Sequence, residues 1–470
     1  MADKWIVLKF GGTSVAGRPQ WEAIAALAQA RRDAGFRVLL VCSAVAGVTN
    51  RLSELADHPA APGAVDGIVE RHRELASALR VNADATLAEA AESLENAAQA
   101  MANEPGPRNR ARLLALGEWL STRIGALFLG QQIETGWVDA REALEIETEA
   151  DFSPARQWLS AGCAAGADPD LTDRWAQLSP VLVTQGFVGR ARDGATALLG
   201  RGGSDTSAAL LAGRLAAECV EIWTDVPGLF SADPRLIPEA RLLSEVDYEE
   251  ALEMAASGAR VVHPRSIRAA AETRTPMLIR DTGRTGLVGT RISDARSNGS
   301  GVKAVTCQYQ MAVLLLQNLD ARRQVGFLAG VFDVFRRRGV SIDLVATSET
   351  TTTVSLNREA NHLDAVELQR LAADLKSLCR VTLYDDCVCV NLVGRGARKA
   401  LARLSGVMAH FNDHPLLMAS QSANDLCLSL LVPAGEHEPL LRGAHQALIP
   451  PGIEPLGPFG PGWAALRDQA

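Results

Sequence analysis

The residues best placed to do chemistry are those that manage negative charge. The sequence Leu199-Gly-Arg-Gly-Gly-Ser-Asp205 runs straight into an Ala/Leu-rich stretch that reads as a helix. Gly202 and Gly203 allow close backbone approach, Ser204 or Asp205 can cap the helix, and the free N–H groups of a helix start attract phosphate or carboxylate. Arg201 adds a guanidinium that binds such groups bidentately, which favours an anion site over a plain glycine turn. Lys9-Phe-Gly-Gly-Thr-Ser14 places a lysine at the carboxyl end of a first strand, where open α/β sheets bind ligands. A lysine there can stabilise a transferring phosphoryl group; the plain alternative is a solvated strand end. In the turn-rich run that begins Trp223-Thr-Asp-Val-Pro-Gly228, Thr224, Asp225 and the later Arg235 could read a nucleotide, or simply build a surface loop. Glu118 interrupts an apolar helical stretch and needs a partner or a water-lined cleft, such as a substrate ammonium would supply. The chain carries neither GxxxxGK[ST] nor HRD and DFG signatures, so it is neither a P-loop enzyme nor a protein kinase.

Strands and helices in alternation must hold these residues. Residues 5–10 read as a strand, residues 19–34 as a helix with Trp21, Ile24, Leu27 and Ala28 on one face, and residues 38–42 as a second buried strand. This strand–loop–helix–strand unit builds parallel sheets. Further strands are expected at 181–187, 220–224 and 276–279, with helices at 110–129, 205–217 and 248–257. Residues 60–105 read as helical without visible chemistry.

A chain of 470 residues, 47% apolar and 22% charged, is globular and long enough for two to four domains. It has no apolar run long enough to span a membrane, and its first ten residues lack the pattern of a secretion signal. Acidic groups outnumber basic ones 55 to 47, the opposite of a general nucleic-acid or membrane-surface binder. Eight cysteines without a CxxC pair read as small core residues in a reducing cytoplasm, with Cys387 and Cys389 on one face of a strand. The scattered histidines give no protein-built metal site.

The polar stretch 293–301 reads as a domain boundary. Beyond it an α+β pattern occurs twice, about 73 residues apart. The first copy has strands at 313–317, 341–347 and 352–356 with helices at 327–337 and 363–378. The second has strands at 388–393, 416–420 and 426–432 with helices at 398–411 and 438–448. The tail 449–462 holds five prolines and reads as a loose extended terminus or a linker.

Seven motifs occur in one order: KFGGTS at 9–14, SAVAGVTN at 43–50, GEWLST at 117–122, TQGFVG at 184–189, LGRGGSD at 199–205, WTDVPG at 223–228 and GARVVHP at 258–264. By these motifs the chain resembles the aspartate kinases of the amino acid kinase family, over about residues 4–450. The run 327–349 resembles the paired ACT domains of those enzymes. The resemblance implies an α/β fold: a mainly parallel sheet sandwiched by helices over residues 1–292, then two small ferredoxin-like α+β (ACT) domains at 303–380 and 381–449, and a tail at 450–470.

It also implies phosphorylation of the side-chain carboxylate of L-aspartate by ATP with Mg²⁺, the first step toward lysine, threonine and methionine. On that likeness Lys9 contacts the transferring phosphoryl group and Asp205 organises the centre. Arg201 clamps an aspartate carboxylate, Glu118 holds the ammonium, and Ser43, Thr49 and Ser204 complete the pocket. Gly11, Gly12, Thr13, Ser14, Gly202 and Gly203 line the nucleotide side, with Thr224, Asp225, Phe230, Arg235 and Arg260. The family commonly has Lys where Arg260 stands and Tyr where Phe230 stands. An aspartate carboxylate, with a pKa of about 3.9, is a nucleophile at neutral pH and needs no general base. Magnesium is expected on phosphate oxygens and water.

The effector site of lysine-inhibited relatives matches Gly326, Ser341, Asp343, Thr347, Ser348 and Glu349, while Ala321 and Gln324 depart from it. Lysine or threonine is the implied effector and a homodimer through the ACT domains the implied assembly, in the cytoplasm. The competing readings are an amino acid kinase for another carboxylate and an amino-acid sensor whose kinase site is silent.

Overall fold

Two strands that are apolar almost without interruption, Lys4–Phe10 (β1) and Phe36–Cys42 (β2), pair in parallel near the middle of an eight-stranded sheet. Such runs suit strands buried on both faces. The computed structural model describes residues 4–147, 152–259, 261–295, 301–318, 325–452 and 456–467. Its contacts divide the chain into two compact units: Met1–Leu229, Ser244–Tyr248 and Arg260–Arg296 in the first, and Phe230–Leu243, Glu249–Ala259 and Ser297–Ala470 in the second. Two stretches that precede residue 292 therefore fold with the C-terminal part.

The sheet of the first unit continues with Thr135–Trp137 (β3), Val181–Gln185 (β4), Val220–Thr224 (β5), Glu245–Asp247 (β6), Met277–Asp281 (β7) and Thr290–Ser293 (β8). The order is β6-β8-β7-β5-β1-β2-β4-β3, parallel throughout except where β7 meets β8. The chain leaves β1 toward β2 on one side and returns to β5 on the other, so the carboxyl end of β1 is a topological switch point where such sheets bind ligands. Helices sandwich the sheet. Arg18–Asp33 (α1) buries Trp21, Ile24, Leu27 and Ala28 as its periodicity predicts, and packs with Leu116–Leu129 (α2). Gly125 makes that approach possible, since a Cβ there would lie 1.9 Å from the Trp21 ring. Gly203–Arg214 (α3) packs with Pro264–Thr273 (α4). The helix expected over 110–129 is two, Pro107–Leu114 and α2.

In the second unit the two α+β copies share one six-stranded antiparallel sheet. Its strands are Ala304–Gln317 (β9), Leu344–Thr347 (β10), Thr351–Asn357 (β11), Arg380–Val393 (β12), Met418–Gln421 (β13) and Cys427–Pro433 (β14), in the order β10-β11-β9-β12-β14-β13. Phe327–Arg337 (α5) and Ala365–Leu375 (α6) cover the first copy over Leu314, Leu316, Val354 and Leu356. His437–Leu448 (α7) packs on β9 and β12. The second copy takes its outer strand from residues 304–308, which pair with 389–393. The first copy is thus inserted within the second. The helix expected over 398–411 is three short pieces, Ala397–Arg403, Ser405–Met408 and Ala409–Asn412. They tighten at Leu404, whose N–H is shared between the carbonyls of Ala400 and Leu401.

The tail is not loose. Phe459–Gly462 pairs antiparallel with Arg241–Leu243, and Trp463 donates its N–H to the Ala240 carbonyl at 2.8 Å. Arg241, fully buried, donates to the Phe459 and Gly460 carbonyls. Lys303 and Glu250 form a buried ion pair in the same unit. No helix among the described residues is long and apolar enough to cross a membrane.

Candidate functional site

Lys9, the next-to-last residue of β1, lies between Val41 and Ile222 near the carboxyl end of the sheet. There it meets Asp205 in the first turn of α3, Nζ to Oδ1 2.5 Å, with both side chains largely buried. α3 starts two residues earlier than the sequence suggests. Its N-cap is Gly202 in the left-handed region, and neither Ser204 nor Asp205 caps it. The first-turn N–H groups are therefore not consumed by a side-chain cap, which leaves a partial positive charge beside Lys9.

Three loops close around this pair. The turn after β1 touches the loop after β2: Ala46 donates to the Gly12 carbonyl, and a Cβ on Gly12 would lie 2.7 Å from the Ala44 oxygen. Gly117 lets α2 approach the same loop, for a Cβ there would meet Ala44 Cβ at 2.9 Å. That contact delivers Glu118 into the interior, 3% exposed. Burial pushes its carboxyl up to about 7, against the opposing effect of the Ala44 N–H, and Oε2 has no hydrogen-bond partner among the described residues. A buried carboxylate with an unused oxygen is a site for a cation. The third loop, 199–203, carries Arg201 between two left-handed glycines, Gly200 and Gly202.

These groups line one cavity of about 750 Å³: Lys9, Gly12, Ser43, Thr49, Glu118, Arg201, Gly202, Gly203, Ser204 and Asp205. Lys9 meets the first turn of α3, Arg201 stands in the loop just before it, and the buried carboxylate comes from α2. The cavity thus suits a small molecule with both an anionic and a cationic end.

Other expected residues lie elsewhere. Gly11 and the exposed Thr13 stay outside this cavity, and Ser14 faces a smaller one of about 210 Å³ with Phe10 and Thr282. Thr224, at the end of β5, donates its hydroxyl to Asp225, and its carbonyl accepts from Thr282. Phe230 and Arg235 belong to the second unit, where Phe230 meets Trp463 edge to face at 5.6 Å and the exposed Arg235 pairs with Asp233. Arg260, Ala321 and Gln324 lie outside the described residues.

Sequence reasoning missed the apolar walls Leu114, Leu159, Phe187 and Leu198. Phe187 holds φ at +72°, unusual for a bulky residue, and its ring limits Gly203 to glycine, since a Cβ there would lie 2.5 Å from it. Its place inside TQGFVG was the available signal. No cluster of three or more His, Cys, Asp or Glu suited to a metal occurs among the described residues.

The expected effector residues do not form one cluster within the second unit. Asp343 accepts from the Asn357 N–H and Ser341 bonds to Asn361 near the start of β10. Thr347, Ser348 and Glu349 lie at its other end, about 13 Å away along an extended strand. Ser348 and Thr351 share a hydroxyl hydrogen bond of 2.7 Å. Gly326 caps the start of α5.

A family model for the amino acid kinase family matches residues 4–281. The chain is 32% identical over 463 residues to lysine-sensitive aspartokinase 3 of Escherichia coli, covering 94% of this chain and 99% of that one. It is 30% identical over 460 residues to chloroplastic aspartokinase 3 of Arabidopsis thaliana, 94% of this chain and 81% of that one. Among solved structures it is similar to E. coli aspartokinase III in complex with aspartate and ADP, with a TM-score of 0.76, 30% identity and coverage of 95% and 100%. The same relative in complex with lysine and aspartate gives a TM-score of 0.77, with coverage of 95% and 99%.

Proposed function

The chain belongs to the aspartokinases of the amino acid kinase family, phosphotransferases with a carboxyl group as acceptor, and on that premise we propose how its cavity phosphorylates L-aspartate. Glu118 takes the substrate ammonium, which neutralises a carboxylate otherwise buried alone. Arg201 takes the α-carboxylate, with Ser43, Thr49 and Ser204 around it. The side-chain carboxylate is then directed at Lys9 and the start of α3. One of its oxygens forms a bond to the γ-phosphorus of ATP as the bond to the ADP oxygen breaks; no proton moves. Two anions must approach, so the chain's task is to hold positive charge at their meeting point. Lys9 does this, and Asp205 fixes the lysine by its ion pair.

With no cluster of protein ligands among the described residues, magnesium would be held by the nucleotide's phosphate oxygens and water and would offset their charge, with Asp205 the carboxylate beside Lys9 in the same cavity. Thr224 and Asp225 are read as nucleotide residues from the family likeness, as are Phe230 and Arg235. The observation that carries the reading is the single cavity that joins the Lys9–Asp205 pair, Arg201 and the buried Glu118. The test is acyl-phosphate formation from MgATP, trapped as hydroxamate, with L-aspartate and L-glutamate. Turnover on aspartate supports the reading; turnover on glutamate alone, or on neither, sinks it.

Lysine is the proposed effector, supported by the lysine-sensitive relative and by the lysine complex of a solved one. Asp343 is the residue read as partner of its ε-ammonium. A homodimer through the second unit is read from the family likeness, and Val345 on the terminal strand β10 is exposed. Inhibition of the same assay by lysine and not threonine supports this effector, and the reverse replaces it.

A further inference from the structure

We propose that Arg265 is a positioning residue for the anion-binding loop 199–203, a role that rests on the phosphotransferase reading of the same cavity. The loop carries Arg201 and leads into the start of α3, yet its backbone has little regular support. Gly200 and Gly202 both take left-handed φ values, +76° and +66°. Leu199 donates to the Phe187 carbonyl at 2.8 Å, and beyond it the loop turns away from the strands.

Arg265, in the first turn of α4, supplies the missing support. One end of its guanidinium donates to the Leu199 carbonyl and, at 3.2 Å, to Ser160 Oγ; the other end donates to the Ala161 carbonyl. The segment 159–161 is the adjoining wall, since Leu159 lines the cavity and Ala161 donates to the Leu198 carbonyl at 2.8 Å. One planar fork thus ties two walls of the cavity together. His263, the N-cap of α4, fixes the backbone from which the fork extends: its Nδ1 accepts the Arg265 backbone N–H at 3.2 Å. Its side chain also backs the loop, for a Cβ on Gly202 would lie 2.3 Å from His263 Cβ. All the described guanidinium partners are neutral oxygens, so its charge is not cancelled by a carboxylate and adds to the field that attracts anions. A lysine could not copy this, because a single ammonium lacks the fork that spans both walls.

The test compares wild type, Arg265→Ala and Arg265→Lys in the hydroxamate assay, with melting temperatures recorded alongside. The KM for aspartate should rise at least about tenfold in Arg265→Ala, as expected for a misplaced binding group. The KM for ATP should stay within about twofold, and added guanidine at low millimolar concentration should restore part of the loss. Arg265→Lys should recover little. If Arg265→Ala fails to fold, Gly200→Ala strains the same contact from the loop side, where the new Cβ would sit 2.7 Å from Ser160 Oγ; it should give the same rise in KM for aspartate. An unchanged KM for aspartate with only a lower melting temperature overturns the proposal. Wild-type protein without turnover on aspartate overturns the phosphotransferase reading instead. Calorimetric binding of inorganic phosphate, present in wild type and lost in Arg265→Ala, would then still support the role; equal binding by both would end it.

Discussion

Glu118→Gln should make the protein more stable at alkaline pH and the enzyme worse. Glu118 is 3% exposed in the first turn of α2, one carboxylate oxygen unpartnered, and burial raises its carboxyl from the usual value near 4.5 to about 7. Between these two values the folded protein keeps a proton that the unfolded chain has released. Stability therefore falls as pH rises through that window, and the whole cost is present above pH 7. One pH unit of displacement corresponds to 1.36 kcal/mol, so the ionised carboxylate costs about 3 kcal/mol. Glutamine does not titrate. Its amide can still accept from Ala44 but brings a buried donor of its own, a constant cost of about 1–3 kcal/mol. The difference in unfolding free energy between variant and wild type should therefore move in favour of glutamine by about 3 kcal/mol from pH 4.5 to pH 8, whatever that constant is.

Urea unfolding of the ligand-free proteins at the two pH values measures this difference. In the wild type, the KM for aspartate should rise as pH falls below 7, because the protonated carboxyl no longer attracts an ammonium. The variant should lose this dependence and show a KM raised by about 100-fold or more, as when one partner of a buried charged pair is removed. A stability difference that is the same at both pH values would refute the electrostatic reasoning. An unchanged KM for aspartate would refute the ammonium assignment.

Lys9→Ala should keep the fold, by circular dichroism and melting, and lower kcat by about 100-fold or more, the scale of losing one transition-state charge contact. Lys303→Met removes one charged partner of the buried Glu250 and should destabilise the second unit by about 3–5 kcal/mol in denaturant titration, with recovery in Lys303→Met/Glu250→Leu. Gly125→Ala drives a methyl into the Trp21 ring and should cost at least about 1–3 kcal/mol by the same measurement. A fragment 303–449 keeps all six strands and should unfold cooperatively by circular dichroism, whereas 381–449 lacks an outer strand and should not.

The insertion of one copy in the other was not legible, for a physical reason. Sequence patterns show strands at 313–317 and 388–393, each only part of a 14-residue strand. The halves of β9 serve different copies, and its register with β12 shifts between Gln308 and Val313, where Gln310 takes a positive φ of 56°. The alternation of apolar residues is broken there, so the pattern reads as a strand end. Residues 459–462 were misread for a related reason. Proline and glycine suit a loose chain, and only the partner strand at Arg241–Leu243 makes an edge strand of them.

The cavity divides into what polar chemistry reveals and what topology assembles. Lys9, Arg201, Asp205 and Glu118 stand out because each puts charge where an apolar or glycine-rich context gives it no ordinary use. Leu159, Phe187 and Leu198 do not stand out, because an apolar side chain facing a ligand has the same character as one facing a core. Arg265 is hidden for a third reason: its partners are backbone carbonyls and a hydroxyl, which have no sequence signature. The charged groups that would touch substrate are thus the legible ones, and the apolar walls and the guanidinium of Arg265 are not. Each aiming contact depends on distant segments meeting, as residues 160, 199 and 265 do here. A substitution at Arg265 should therefore alter kinetics without touching any of the seven motifs that identify the family.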